Sequence, residues 1–206
     1  MIIHEVEQKS EKWHELRQGR ITGTVLKSIL GTPIAREKAF YDILAERLSV
    51  ESNPDESALD RGVRLENEAI AEYEKRFAVK VQRVGFTERD DNKWIASSPD
   101  GLIIDENAKY TRAVEVKCLS SSNHIKAFLE QEIPKEFRPQ GIQYFCVNDD
   151  LERLDFVFYD SRISEIPMHI ITLTRKECEK DIALAITAQN EFLNKVEEAL
   201  SNIILK

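Results

Sequence analysis

The sequence predicts a mixed α/β (α+β) fold, with helices first, then a sheet interrupted by one helix, then a long closing helix. Three observations predict it. Apolar residues recur at helical spacing through much of residues 1–78, alternate at strand spacing in short runs between 79 and 173, and return to helical spacing from about 175 to 203. No repeat, low-complexity tract or Pro/Ser-rich linker divides the 206 residues, so a single domain over 1–206 is expected. With 42% apolar residues, a chain of this length can build one substantial core.

The elements follow in order. Thr22 is placed to cap a helix over about 23–30, which ends near Gly31-Thr32-Pro33. Residues 35–49 set Ala39, Phe40, Ile43, Leu44 and Leu48 along one stripe, and 57–77 does the same with Leu65, Ala69, Ile70, Tyr73 and Phe77. Residues 79–86 alternate as a strand. From Trp94 the chain reads as two short strands joined by a tight turn at Pro99-Asp100-Gly101. Residues 111–118 form a strand with Val114 and Val116 opposite Glu115 and Lys117. A helix over 137–147 has Pro139 near its start, strands follow at 153–159 and 167–173, and the helix from 175 occupies the C-terminal part, 175–206.

Composition narrows the function classes. No apolar run approaches the roughly 20 residues that cross a bilayer, and MIIHEVEQKSEK lacks the cationic start and apolar core of a signal peptide. A soluble cytoplasmic protein is expected, with no membrane contact. Cys118, Cys146 and Cys178 are far apart and offer neither a disulfide framework nor zinc or iron–sulfur spacing. The net charge of −8 argues against a protein that coats nucleic acid by counterion release, although carboxylates that hold cations count as negative until loaded. Residues 1–50 carry eight basic and seven acidic side chains, and the remainder carries 21 and 30, so the N-terminal quarter is the less repulsive surface for DNA. His4, His14, His124 and His169 show no ligand spacing; His124 is expected on the surface, where it could approach DNA.

The chemistry-bearing stretch is SPDGLIIDENAKYTRAVEVKC. Asp100 ends a strand at a turn, and Glu115 and Lys117 project from one face of a later strand. If the two meet, two carboxylates and an ammonium converge, which is what metal-assisted phosphodiester cleavage uses. By spacing alone, Glu115-Val116-Lys117 equally fits the polar face of an edge strand, since Glu7-Gln8-Lys9 has the same form. Glu66 equally fits a solvated helix face, although it borders the apolar stripe beside Leu65 and Ala69.

Asp100 with Glu115-Val116-Lys117 resembles the PD-(D/E)xK motif of restriction-endonuclease-like nucleases. More narrowly, the chain resembles the lambda-exonuclease branch, the YqaJ-like viral recombinases. The likeness is carried by Gln8 to Trp13, Leu16 to Thr22, Arg61-Gly62 through Glu66 and Ala69 to Tyr73, Ser97 to Leu102, Glu115 to Lys117, and Gln140 to Gln143. Each piece is weakly specific, but their order and spacing are not.

The resemblance implies a restriction-endonuclease-like core with a mixed central sheet flanked by helices. It implies two Mg²⁺ ions, replaceable by Mn²⁺, held by Asp100, Glu115, the Val116 carbonyl and Glu66, with Lys117 positioning the attacking water. Arg17 would grip a terminal 5′-phosphate through its planar fork, with Thr24, Ser98 and Gln143 beside it. Trp13 would stack on a terminal base, or else serve as a core residue, and Leu59 would part the strands. The implied activity is a 5′-to-3′ exonuclease that degrades one strand of linear double-stranded DNA to 5′-mononucleotides and leaves 3′ tails for phage-type recombination. A ring-shaped homotrimer and a single-strand annealing protein are the implied partners. The alternatives are an endonuclease or structure-specific nuclease on the same scaffold, and a non-catalytic DNA-end-binding protein.

Overall fold

A computed structural model describes residues 32–48, 58–84 and 86–204, in the order α1 (Pro33–Leu48), α2 (Ala58–Phe77), β1 (Thr87–Arg89), β2 (Asn92–Ser97), β3 (Gly101–Ile104), β4 (Tyr110–Lys117), α3 (Ser121–Glu130), α4 (Arg138–Val147), β5 (Arg153–Tyr159), β6 (Met168–Thr174) and α5 (Arg175–Ile204). The helix expected over 23–30 lies outside the described residues, as do Trp13, Arg17 and Thr24.

Strands β3-β4-β5-β6 form a four-stranded mixed sheet in that order, and β1 and β2 form a separate antiparallel ribbon. β3 runs antiparallel to β4, with Gly101 opposite Val114 and Leu102 opposite Ala113. The Glu152 N–H donates to Thr111 C=O, which sets the start of β5 against the start of β4, so those two run parallel. The bonds from Asp160 N–H to Pro167 C=O and from Arg175 N–H to Glu152 C=O join opposite ends of β5 and β6, an antiparallel pair. This mixed sheet is what the resemblance implies for the core, and it makes β4 an interior strand. Ala113, Val114, Glu115 and Val116 are all buried, so the edge-strand alternative for Glu115-Val116-Lys117 does not hold.

Two local expectations are corrected, and two features were not expected. Residues 79–86 alternate like a strand, but among the described ones only Gln82 pairs, as a single bridge to Leu102, because the Val81 N–H is taken by the Glu74 carboxylate. β2 and β3 do not form a hairpin with each other; β2 pairs backwards with β1, through a turn at Asp90-Asp91. Helix α3 has no counterpart among the expected elements, although Ile125, Phe128 and Leu129 recur at helical spacing after the serine run. His124 is fully buried rather than at the surface, with Nε2 bonded to the Ile166 carbonyl oxygen at 2.8 Å.

The chain divides into two compact units. In the first (1–65, 118–131, 158–169), Tyr41 and Ala45 of α1 pack with Ile125 of α3 and Ile163, and Lys126 bridges to Glu37. His169 stacks on Phe158 and meets His124 edge-on; burial and His124 push its imidazole down to about 3, so it is neutral there.

The second unit (66–117, 132–157, 170–206) holds most of the sheet. Asp155, fully buried on β5, accepts hydrogen bonds from Tyr73, Arg112, Arg153 and Thr172, which hold its carboxyl below the usual range despite its burial. Arg175, opening α5, donates to the carbonyl oxygens of Leu151, Phe145 and Asn148 and so caps the end of α4. Gly141 lets α4 press onto β5, since a Cβ there would meet Leu154 and Phe156 side chains at 3.0 Å. Cys118, Cys146 and Cys178 are all free thiols.

Candidate active site

A carboxyl group buried as deeply as Glu115, 3% exposed, needs charged or hydrogen-bonding partners. It has three. The Lys117 ammonium and the Gln140 amide nitrogen each donate to Oε1 at 2.7 Å, and the Tyr144 hydroxyl donates to Oε2. Period-two alternation brings Lys117 to the same side of β4 as Glu115. Helical spacing brings Gln140 and Tyr144 to the same side of α4. The Gln140 carbonyl oxygen accepts from Lys117 at 2.9 Å, and its amide also donates to the Tyr144 hydroxyl at 2.9 Å. Burial and the Glu115 charge push the Tyr144 phenol up, so it stays a donor. Lys117 stands 4.6 Å over the Phe137 ring, a second restraint on its ammonium.

Asp100 joins this group through the backbone. Its Oδ2 accepts the Val116 N–H at 2.7 Å, which ties the turn before β3 to β4. Gly101 makes room for that turn, since a Cβ there would lie 2.1 Å from Val81 Cγ1. Burial and then the Glu115 charge push the Asp100 carboxyl up from 3.8 to about 7; the Val116 N–H opposes this, Glu66 adds to it and Lys117 opposes it.

The structure therefore brings Asp100, Glu115, Val116 and Lys117 together, with Glu66 within electrostatic reach on α2. Glu66 does not point free into the site. It pairs with Arg83, and no cluster of three or more Asp, Glu, His or Cys side chains closes on one point among the described residues. The donor set nevertheless suits a hard divalent cation: carboxylate and carbonyl oxygens gathered at one end of β4.

The remaining expected residues are distributed as follows. The Ser98 side chain is exposed, and its backbone carbonyl oxygen lies 3.1 Å from the Tyr144 hydroxyl. The Gln143 amide donates to the Ala96 carbonyl at 3.1 Å and to Gln189 at 3.0 Å, so Gln140, not Gln143, bonds Glu115 and Lys117. Leu59 lies in the first turn of α2, and its side chain falls outside the described part. Sequence reasoning assigned no role to Gln140, Tyr144, Phe137 or Arg83. Their signal was present for α4: Phe137, Gln140 and Tyr144 recur at helical spacing.

Comparison with known proteins gives one family and one solved fold. The sequence profile of the YqaJ-like viral recombinase domain matches residues 12–149. Two crystal structures of LHK-Exo, described as an alkaline exonuclease from Laribacter hongkongensis, are similar in fold. One, in complex with dAMP, has TM-score 0.52 and 23% identity; the other has TM-score 0.52 and 24% identity. In both cases 93% of this chain and 100% of the other are covered. No curated protein matches the sequence.

Proposed function

We propose that this chain, which belongs to the YqaJ-like viral recombinase family, is a divalent-metal-dependent DNA exonuclease acting from 5′ to 3′ on linear duplex DNA. Its products are 5′-mononucleotides and a 3′ single-stranded tail for phage-type recombination. The observation that carries this reading is the convergence of Asp100, from the turn before β3, with Glu115 and Lys117 of the interior strand β4, in one hydrogen-bonded group around the buried Glu115. The naming of LHK-Exo as an alkaline exonuclease, solved with a nucleoside monophosphate, agrees with it.

In this reading Asp100, Glu115 and the Val116 carbonyl hold two Mg²⁺ ions, for which Mn²⁺ substitutes, with Glu66 completing the set. Bound ions supply a clamp on the attacking and leaving oxygens of the phosphodiester. Lys117 has three N–H donors; two are spent on Glu115 and Gln140, and the third remains for the attacking water. Gln140 and Tyr144 hold Glu115 rigid, so little reorganisation accompanies the reaction. Arg17, Thr24 and Ser98 take the terminal 5′-phosphate, with Gln143, whose amide is bonded to Ala96 and Gln189, beside them; Trp13 stacks on the end base, and Leu59 parts the strands. The working unit is a homotrimeric ring in the cytoplasm, supplying 3′ tails to a single-strand annealing protein.

The test compares linear duplexes carrying 5′-phosphate or 5′-hydroxyl ends. Wild type should release mononucleotides from the 5′ end and prefer the phosphate. Arg17→Ala should lose about tenfold or more on phosphorylated ends with little change on hydroxyl ends. Equal losses on both would remove the end-recognition role, and release from 3′ ends would overturn the polarity.

A further inference from the structure

Arg83 is a cation at this site that the proposed mechanism does not use. Gln82 exchanges both backbone hydrogen bonds with Leu102, at 2.8 and 2.9 Å, and Val81 fills the space beside Gly101. Residue 83 is thus anchored beside the start of β3, where Asp100 ends the preceding turn. From that anchor its guanidinium reaches Glu66 on α2, and the two side chains remain 45% and 32% exposed. Glu66 lies within electrostatic reach of Asp100, so the half-exposed pair stands at the edge of the carboxylate group.

A half-exposed ion pair adds little to stability, so holding the fold together is a weak reason for an arginine here. Two other properties matter more. A guanidinium on Glu66 occupies oxygens that a divalent ion would use. It is also the side chain best shaped to take two oxygens of a phosphate. A DNA strand entering beside Asp100, Glu115 and Glu66 meets like charge, and the Lys117 ammonium is already bonded to Glu115.

We propose that Arg83 is a DNA-phosphate ligand stored on Glu66: in the unloaded protein it neutralises that carboxylate, and when divalent cations take the carboxylates it transfers to a backbone phosphate of the strand in the site. This rests on the nuclease reading above. Only hydrogen bonds and ion pairs are exchanged.

The experiment measures binding, not turnover, in the full chain with Ca²⁺, using a short 5′-phosphorylated duplex checked to be intact after each titration. Arg83→Gln should weaken duplex binding about tenfold and lower the slope of log affinity against log salt by about one, the signature of one lost phosphate contact. Arg83→Lys keeps the charge and should keep the slope. In Ca²⁺ titrations without DNA, Arg83→Gln should bind the ion about threefold or more tightly, because the competing cation is gone. A wild-type salt slope in Arg83→Gln overturns the phosphate contact, and unchanged Ca²⁺ affinity overturns the storage on Glu66. Failure of the wild-type protein to bind the duplex at all would sink the nuclease reading and this inference together, an outcome distinct from an effect missing only in the variant.

Discussion

A carboxyl that accepts a backbone N–H and is still pushed up to about 7 feels burial and a neighbouring carboxylate more strongly than that hydrogen bond, and Asp100 is in that position. Its ordinary value is 3.8, so folding raises it; the stability it contributes is full below that value and is lost as pH rises through about 7. A divalent cation reverses this, because it needs the ionised form and cancels the repulsion. Cation affinity should therefore fall by roughly tenfold per pH unit below about 7. In thermal unfolding, Mg²⁺ should raise the melting temperature more at pH 8 than at pH 6, and Asp100→Asn should remove most of that difference. An equal rise at both pH values would contradict the assignment of Asp100 as a cation ligand. Glu115 differs in kind, being answered on all sides by Lys117, Gln140 and Tyr144.

Among the elements, the strap of residues 79–84 is what gives the Pro99-Asp100-Gly101 turn its shape. Val81 packs where a side chain at 101 would otherwise stand, and Gln82 bridges to Leu102. Gly101→Ala should cost about 1–3 kcal/mol by overpacking and should disturb Asp100. Val81→Ala in the same chain should recover most of that loss if the clash is the cause, a coupling that denaturant midpoints of the four proteins in a double-mutant cycle will read. Independent, additive losses would place the cause elsewhere. The strap also shows where sequence reasoning stops. Its alternation is strand-like, yet pairing depends on what lies alongside, and Glu74 on α2 takes the Val81 N–H. The long helices α2 and α5 were legible because burial over many residues imposes one period, and β5 because its apolar run is buried on both faces. Helix α3 was missed because it is short and opens in three serines, and the β1–β2 ribbon because its strands are brief and its turn is acidic.

For the whole molecule, the net charge of −8 poses the question of how such a chain keeps hold of DNA. Enclosure by a ring is an answer that needs no large basic patch. The proposed homotrimer predicts a solution mass near three times the 23.8-kDa chain by light scattering at micromolar concentration, and a stable monomer would remove the ring. Among the described residues no helix is long and apolar enough to cross a membrane. The centre of the site was readable in the sequence because Asp100, Glu115 and Lys117 are fixed by local rules, a turn and a period of two. Gln140, Tyr144 and Arg83 were not assigned because what they touch is set by how α4 and the strap pack, which no local spacing encodes. The central claim, a metal-dependent nuclease that starts from DNA ends, is tested most directly by incubating wild type and Lys117→Ala with Mg²⁺ and either linear or covalently closed circular duplex. Wild type should degrade the linear form and leave the circle intact, while Lys117→Ala should bind linear DNA about as well as wild type but not cleave it. Cleavage of the circle at the linear rate, or no cleavage of linear DNA by wild type, would contradict the account.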